Sequence, residues 1–314
     1  MSDSSLAVPV DKTFRFFTKS QGTEYAKIRP GYHSDLYKNI IEHHTSTGGK
    51  LDTVLDIGCG RATCELASHF THAVGLDPSE GMIKNARDLA PNSSTTESIR
   101  FEISTAEELG SHLSPPINNC SIDLITAATA AHWFDMSRFW PRAAEVLKPG
   151  GTVVVWCTGE PKMHPSMPNA AAIQAATEEI RERELTPFIE LGNRLARGLY
   201  IDLLMPWALS LPVAAFDEAT FFRKEWGPEN SEEFFVGGAT TADLDTVEKL
   251  MSTMSPVQRW REAHPDAVGT NRDYVKMQRS AIERLLHEAG VEKGKEIVKG
   301  NVTGVLLMVK KKME

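Results

Sequence analysis

Two acidic residues and two glycines in the first third of the chain have the types and spacing of a nucleoside-binding site. Asp56 lies in an apolar run and is followed by Ile57-Gly58-Cys59-Gly60, and Asp77 closes the next apolar run. Glycines let a backbone turn sharply and approach a ligand closely. An acid at the end of the following strand can accept hydrogen bonds from ribose hydroxyls. The pattern therefore predicts that a nucleoside binds where these two runs end.

The charges around the glycine turn distinguish two kinds of nucleoside cofactor. The dinucleotide fingerprint needs a third glycine, but Gly58 and Gly60 are followed by Arg61-Ala62-Thr63. A carboxylate at Asp56, directly before the turn, would repel a pyrophosphate and would suit the ammonium of a methionine moiety. S-adenosylmethionine carries that ammonium and a sulfonium, and it has no phosphate. The sequence thus favours S-adenosylmethionine over NAD(P).

These residues require an alternation of strands and helices to position them. Short apolar runs predict strands at 53–57, 73–77, 99–103, 121–126 and 152–156, with helices at 61–70, 79–89, 106–109 and 137–147 between them. Such alternation indicates parallel βαβ units and an α/β, Rossmann-like, doubly wound sheet. Two further strands in the C-terminal half bring the predicted sheet to seven strands, mostly parallel.

The same reading divides the chain into segments. We expect an N-terminal helical lid at 1–50 and a cofactor-binding core at 51–157. Two helical insertions at 158–217 and 229–290 would form a substrate cap over the active site. Residues 218–228 and 300–311 would add the final strands of the core sheet. Within the first insertion, the charged run Glu178 to Glu184 is read as a solvated helix face.

Composition excludes several functional classes. The formal net charge is −8, with 41% hydrophobic and 24% charged residues, which is ordinary for a globular protein and unlike a nucleic-acid binder. No run approaches the ~20 apolar residues of a membrane span, and the N-terminus has no signal-peptide pattern. The four cysteines include no CxxC pair and indicate reduced thiols. We therefore expect a cytoplasmic protein with no metal, no nucleic-acid partner and no membrane association.

Several blocks in order resemble a known family, the class I S-adenosylmethionine-dependent methyltransferases. The blocks begin at Asp56, Gly75, Ser104, Asp123 and Leu147 and read DIGCG, GLDPSEGMI, STAEEL, DLITAATAAHWFD and LKPGG. Segments 25–32 and 131–135 are particularly similar to the fungal trans-aconitate methyltransferase-like group. The resemblance covers 14–157 well and 218–314 more weakly, where 255–260 and the last strand fit. The group implies a small-molecule acceptor and a monomer or weak homodimer.

The resemblance implies a set of cofactor-binding residues. Asp56, Gly58 and Gly60 would line the methionine moiety, and Asp77 would hold the ribose. Tyr25, Arg29 and Tyr32 would lie on an N-terminal helix over the site, with Arg29 available to the cofactor carboxylate. The resemblance also implies that Pro78, Ser79 and Met82 lie beside the adenosine. Ala106 and Glu107 would flank the adenine, and Thr126, Ala127 and Ala128 would lie beside the sulfonium.

His132 is the candidate catalytic residue because it follows the fourth strand, where ligands collect in open α/β sheets. A carboxylate acceptor, ionised at neutral pH, would need His132 only as an orienting donor. A hydroxyl acceptor would need it as a general base. The acceptor pocket would include Tyr32, Trp133, Phe134 and Trp260. Arg61, Arg259 and Arg261 are further candidates for binding a carboxylate of the acceptor.

Three functions remain open on the sequence. The favoured one is transfer of a methyl group to an oxygen of a small molecule, most simply a carboxylate, which the resemblance supports. The second is methylation of a hydroxyl, carbon or nitrogen in specialised metabolism. The third is a cofactor-binding protein that does not methylate, such as a cyclase or a regulatory partner, because fold does not determine chemistry.

Overall fold

The computed structural model describes residues 19–90, 98–227, 232–237 and 240–313. The predicted lid is therefore followed from residue 19 only. In chain order the elements are α1 Lys19–Ile28, α2 Ser34–Ser46, β1 Thr53–Ile57, α3 Arg61–Ala67, β2 His72–Asp77, α4 Glu80–Leu89, β3 Arg100–Ile103, β4 Ile122–Ala128, α5 Met136–Val146, β5 Leu147–Thr158, β6 Lys162–Met163, α6 Ala170–Leu185, α7 Leu191–Arg197, β7 Phe216–Trp226, β8 Thr240–Asp243, α8 Leu244–Ser252, α9 Ser255–Ala263, α10 Tyr274–Glu288, β9 Ile297–Asn301 and β10 Gly304–Lys311.

Seven strands form the main sheet in the order β3-β2-β1-β4-β5-β10-β7. The first five strands are parallel, whereas β10 pairs antiparallel with both β5 and β7. The predicted mostly parallel, doubly wound fold is confirmed. The chain order reverses between β1 and β4, and this switch point is where ligands bind in open α/β sheets.

The sheet is buried on both faces, which explains its continuous apolar runs. Side chains alternate along a strand, so Val54 faces the cluster of α2 and α3, and Leu55 faces the cluster of α5. In β4, Leu124 likewise faces the cluster of α2 and α3, and Ile125 faces the cluster of α5. Because β1, β2 and β4 are parallel, their carboxyl ends lie at the same edge of this sheet.

The cap differs from the helical insertions that the sequence predicts. Strands β6, β8 and β9 form a second, three-stranded antiparallel sheet, and β9 and β10 replace the single final strand predicted at 300–311. The prediction missed β6 and β8 because strands of two and four residues are too short to show a period. Helices α6, α8 and α10 pack around this sheet through a separate apolar cluster that includes Ile173, Leu244 and Ile282.

Two local predictions in the core were also wrong. The stretch at 106–109 forms turns, with Leu109 at φ 41° and Gly110 at φ 70°, and no helix. The loop expected between the helix at 137–147 and the strand at 152–156 is absent, because β5 begins at Leu147, which pairs with Ile122 of β4. Among the described residues, no helix has the length and apolar character needed to cross a membrane.

Candidate cofactor and acceptor site

Asp56 lies at the switch point with both carboxylate oxygens engaged. The residue is fully buried, and it faces Thr126 across the β1–β4 pairing. Thr63 Oγ1 donates to Oδ2 at 2.5 Å and Thr126 Oγ1 donates to Oδ1 at 2.6 Å. Burial raises the pKa of Asp56 to about 7, although the two hydroxyls oppose the shift. Asp56 therefore links the start of α3 to β4.

The turn after β1 depends on glycine at two positions for different reasons. Gly58 has φ 73°, and its amide donates to the carbonyl of Leu76 at 2.8 Å. A Cβ there would lie 2.7 Å from Cβ of Ala130, so the turn and the loop after β4 approach closely. A Cβ at Gly60 would meet no described heavy atom within 4 Å. Gly60 thus leaves open space at the start of α3, whose first N–H groups can serve a ligand.

Asp77 ends β2 beside this open space. It is 8% exposed, and its Oδ1 accepts from the amide of Ser79 at 2.7 Å, while Ser79 Oγ caps α4 by accepting from the amide of Met82. Burial raises the pKa of Asp77 to about 7, and the nearby carboxylate of Asp56 adds to the shift. Two buried carboxyl groups at adjacent strand ends favour a ligand that brings positive charge and hydroxyl donors.

The segment after α1 contributes Arg29 and Tyr32, which the sequence placed on the lid helix. Only Tyr25 lies on α1; its ring stands 5.0 Å from the guanidinium of Arg29. Arg29 Nε is buried and has no hydrogen-bond partner among the described residues. Tyr32 Oη is 2.8 Å from Thr129 Oγ1, directly after β4. Helix α1 itself packs on α4, with Gly22 against Met82, and the segment after it reaches the loop that follows β4 through Tyr32.

The residues present fit S-adenosylmethionine. An added Cβ at Gly60 would enter open space, so a ligand can approach the backbone there, and Asp77 offers a carboxylate to ribose hydroxyls. The unpartnered Nε of Arg29 is a donor for the carboxylate of the methionine moiety. Ala127 and Ala128 end β4 next to this turn, in register with Ile57 and with Trp156 of β5.

His132 lies in a short 3-10 turn at Ala131–Trp133 and is 5% exposed. Its Nδ1 is 2.8 Å from Tyr200 Oη. Burial lowers the pKa of His132 to about 3, so the imidazole is neutral at physiological pH. Trp133 packs beside His132 and against Gly192 of α7, where a Cβ would lie 2.5 Å from the indole ring. The 3-10 turn that carries His132 therefore follows β4 and packs against α7.

Several residues assigned to the site lie elsewhere. Trp260 is 2% exposed within the α6–α9–α10 cluster and stacks on His264, because the apolar faces of the cap helices bury it. Phe134 packs on Phe139 in the core under α5. Ala106 is also core, and Glu107 Oε1 accepts from the amide of Asp135 at 2.9 Å. Trp260 and Phe134 are therefore packed in apolar clusters, and their place in an acceptor pocket stays a prediction.

The three arginines considered as binding partners of an acceptor carboxylate already pair with groups of the protein. Arg61 donates to the carbonyl of Ala26, and Arg261 pairs with Asp273 at 3.0 Å. Arg259 donates to the carbonyl of Phe188 and to Asn193, and it pairs with Glu190. Their spacing in the sequence gave no hint of these partners, since each partner belongs to another element.

Sequence reasoning missed two residues of the site. Thr63 could have been found, because a threonine three residues after Gly60 has the spacing of a helix cap, and the amide of Gly60 donates to its Oγ1. Tyr200 carried no signal: it lies in an insertion without a motif and reaches His132 only through the fold. Its backbone has φ 58°, and the preceding Leu199 has φ 51°.

One group in the cap could hold a metal ion. Within the described part of the chain, Glu283 and His287 of α10 and Glu296 before β9 place three potential ligand atoms within 4.8 Å of one another. Glu296 already accepts a hydrogen bond from the amide of Gly294 and pairs with His287 at 2.6 Å. The group lies in the cap and contributes nothing to the strand-end site.

Comparison with known proteins agrees with this geometry. Residues 55–155 match the family model of a methyltransferase domain. Methyltransferase cfoB of Aspergillus candidus is 28% identical over 279 residues, which cover 81% of this chain and 84% of that protein. A Dictyostelium discoideum protein, provisionally assigned as a methyltransferase, is 34% identical over 151 residues, covering 48% of this chain and 50% of that protein. The chain thus spans about half the length of the Dictyostelium relative.

A solved structure from Anaeromyxobacter dehalogenans, provisionally assigned as a type II methyltransferase, has the same fold. The TM-score is 0.57 at 20% identity, over 91% of this chain and 98% of that one. Residues 55–155 thus resemble a methyltransferase domain, and the matched residues include Asp56, the glycine turn, Asp77 and His132.

Proposed function

We propose that the protein transfers a methyl group from S-adenosylmethionine to a carboxylate oxygen of a small-molecule acceptor, giving a methyl ester and S-adenosylhomocysteine. The methyltransferase domain and the strand-end carboxylates support the cofactor. The resemblance of 25–32 and 131–135 to the trans-aconitate methyltransferase-like group supports the acceptor. We further propose a cytoplasmic monomer or weak homodimer that needs no metal.

The state of His132 is the observation that carries the choice of acceptor. A general base works best when its pKa lies near the operating pH, and burial lowers the pKa of His132 to about 3. Such an imidazole is a weak base and a good neutral donor. A carboxylate acceptor is already ionised at pH 7 and needs orientation only. His132 therefore suits a carboxylate better than a hydroxyl.

The tautomer of His132 decides which nitrogen can serve the acceptor. If Tyr200 Oη donates to Nδ1, Nε2 carries the proton and can donate to an acceptor oxygen. When bound, S-adenosylmethionine supplies a methyl group activated by its positive sulfur. The chain's residues align the acceptor oxygen behind that carbon and exclude water. As the new C–O bond forms, the C–S bond breaks and its electron pair stays on sulfur.

The proposal is tested by incubating the purified protein with S-adenosylmethionine and a panel of carboxylic acids and phenols. Release of S-adenosylhomocysteine and the mass of the product are measured. We expect methyl esters from carboxylic acids. Methylated phenols without any ester would support the hydroxyl alternative, and cofactor binding without any methylated product would support a non-methylating protein.

Cofactor affinity is expected to fall as the pH drops through about 7. The ionised carboxylates of Asp56 and Asp77 accept hydrogen bonds and balance the cofactor's positive charge, and burial raises the pKa of each to about 7. Protonation removes both effects, so the dissociation constant for S-adenosylmethionine should increase from pH 8 to pH 6 by about tenfold for each carboxylate that must be ionised. Isothermal calorimetry at constant ionic strength measures it. An affinity that is unchanged between these pH values contradicts the role of the two carboxylates.

Replacement of His132 should separate an orienting donor from a base. We expect His132→Ala to lower kcat about 10- to 100-fold, and His132→Gln, whose amide can donate near the position of Nε2, to recover most of it. Tyr200→Phe, which frees Nδ1, should lower kcat less. The wild-type kcat should be constant from pH 6 to 9. A wild-type kcat that falls with a pKa of about 6–7, together with an inactive His132→Gln, would identify a base and a hydroxyl acceptor.

A further inference from the structure

The end of helix α7 lies one residue later than its own sequence favours. Gly198 directly follows α7, and a glycine in this place commonly ends a helix in the left-handed conformation. Here Gly198 has an ordinary φ of −80°. The left-handed conformation falls instead on the next two residues, Leu199 with φ 51° and Tyr200 with φ 58°. A local preference is therefore overridden at this helix end.

Two backbone hydrogen bonds show that this helix end is a complete Schellman motif. The amide of Leu199 donates to the carbonyl of Ala196 at 2.9 Å. The amide of Tyr200 donates to the carbonyl of Leu195 at 3.0 Å. The left-handed position of the motif is usually glycine, because a side chain there is crowded by the backbone. A leucine at this position costs free energy, so contacts with other elements must stabilise it.

Contacts from two other elements hold Leu199 in this conformation. Arg223 of β7 donates from Nη2 to the carbonyl of Leu199 at 2.8 Å. The side chain of Leu199 packs on Gly159, which follows β5, where an added Cβ would lie 3.0 Å from Cδ2 of the leucine. Glu225 accepts a hydrogen bond from Arg223 Nε at 2.8 Å and so orients the guanidinium. The bond from Arg223 acts on the backbone itself, and its charged donor makes it stronger than a bond between neutral groups.

The position of this helix end decides whether Tyr200 reaches His132. Tyr200 Oη lies 2.8 Å from His132 Nδ1, and both side chains are buried. If Gly198 took the left-handed position, α7 would end one residue earlier. Since each helical residue turns the chain by about 100°, Tyr200 would then be displaced from the imidazole. Two hydrogen bonds and one peptide bond thus connect Arg223 to His132.

We propose that Arg223 is a positioning residue for methyl transfer: by donating to the carbonyl of Leu199, it keeps Tyr200 against Nδ1 of His132. Tyr200 then donates to Nδ1, and the proton of the neutral imidazole stays on Nε2, the nitrogen that is proposed to orient the acceptor. This inference rests on the role proposed for His132. Arg223 acts through Tyr200 and touches neither the cofactor nor the acceptor.

The first test measures the tautomer of His132 and needs no turnover. The protein is labelled with ¹⁵N-histidine, and the ring nitrogens of His132 are assigned as the signals that His132→Gln lacks. At neutral pH we expect wild-type Nδ1 to resonate as a nitrogen without a proton and Nε2 as a protonated one. In Arg223→Gln both signals should shift towards a mixture of the two tautomers. Arg223→Lys should recover part of the wild-type spectrum, because an ammonium can still donate to the carbonyl of Leu199.

Two further variants serve as matched controls. Glu225→Gln keeps an oxygen that can orient Arg223, so the wild-type tautomer should remain. A Cβ added at Gly198 would lie 3.4 Å from the carbonyl oxygen of Arg194, which is an ordinary contact. Gly198→Ala therefore fits the observed helix end but penalises the earlier one, in which residue 198 would be left-handed. Combined with Arg223→Gln, it should restore the wild-type tautomer.

Turnover supplies the second test. We expect Arg223→Gln to lower kcat about 3- to 10-fold and to leave the dissociation constant for S-adenosylmethionine within about twofold. Because Arg223 acts through Tyr200, adding Arg223→Gln to Tyr200→Phe should cause no further loss of kcat. Thermal unfolding confirms that each variant is folded.

The outcomes separate this inference from the proposed function. A wild-type tautomer in Arg223→Gln, a proton on Nδ1 of His132 in the wild type, or additive losses of kcat with Tyr200→Phe would overturn the role of Arg223. An equal shift in Glu225→Gln would assign the effect to the ion pair and reject the bond to Leu199 as its cause. If the tautomer responds as expected and no carboxylic acid is methylated, the proposed acceptor alone is rejected.

Discussion

Asp77→Asn is expected to weaken S-adenosylmethionine binding at pH 8 at least about 100-fold while leaving the protein folded. The carboxylate at the end of β2 is proposed to accept hydrogen bonds from both ribose hydroxyls, and hydrogen bonds to a charged acceptor contribute about 1.5–3 kcal/mol each. The asparagine oxygen can still accept from the amide of Ser79, which Asp77 Oδ1 now does at 2.7 Å. The cap of α4 should therefore survive, and calorimetry should report the loss of binding alone.

The same variant should be no less stable than the wild type at pH 8. Burial raises the folded-state pKa of Asp77 to about 7 from the ordinary 3.8. Between these pH values the folded protein binds a proton that the unfolded chain has lost. The free energy of unfolding therefore decreases as the pH rises, and the full destabilisation by this carboxylate is reached above about pH 7. Asparagine is neutral at every pH, so we expect Asp77→Asn to gain about 1–3 kcal/mol in free energy of unfolding at pH 8.

Asp88→Asn, on the exposed side of α4, serves as the matched control for the binding measurement and should leave the cofactor affinity unchanged. Retained cofactor affinity in Asp77→Asn would remove Asp77 from the binding site. A large loss of stability in Asp77→Asn at pH 8 would instead show that the carboxylate is a structural acceptor.

Gly58→Ala and Gly60→Ala should fail in different ways although the two glycines are two residues apart. Gly58 has φ 73°, and its added Cβ would lie 2.7 Å from Cβ of Ala130. The left-handed backbone costs an alanine about 1–2 kcal/mol, and the clash adds to it, so we expect Gly58→Ala to lose about 2–4 kcal/mol of stability. Gly60 has an extended φ of 176° and open space around its Cβ position, so Gly60→Ala should fold normally.

The open space at Gly60 is where the cofactor is proposed to lie. Gly60→Ala should therefore weaken S-adenosylmethionine binding about tenfold or more at nearly unchanged stability. Denaturant unfolding gives the stability of each variant, and calorimetry gives the affinity. Wild-type affinity in a folded Gly60→Ala would move the cofactor away from this turn, and wild-type stability in Gly58→Ala would contradict the close approach to Ala130.

The core strands were predictable because their residues carry local signals. Residues 53–57 were predicted as a strand with its observed bounds, and β2 was predicted to within one residue. Parallel strands that are covered on both faces are short and apolar, and they are separated by helices with caps and by glycine turns. All of these features can be recognised in the sequence. Asp56, Gly58, Gly60 and Asp77 were identified for the same reason: they stand at strand ends.

The cap was less predictable because its contacts join elements distant in sequence. Trp260 was assigned to the pocket and is core, since three helices bury it. Arg181 belongs to a charged run that looked solvated, yet it faces Glu160 from another element. A periodicity shows which face of a helix is apolar, but the partner of a charged side chain depends on how helices pack.

The sequence alone determined the α/β class, the strand-end carboxylates and the glycine turn, because these depend on local conformation and chain order. Only the tertiary structure decided the surroundings of His132. Its motif was equally compatible with a base and a donor, and the donor role that we propose rests on its burial beside Tyr200, which lies in an insertion 68 residues away. Burial removes the imidazole from water and disfavours its charged form, so the fold, not the residue type, sets the pKa of His132.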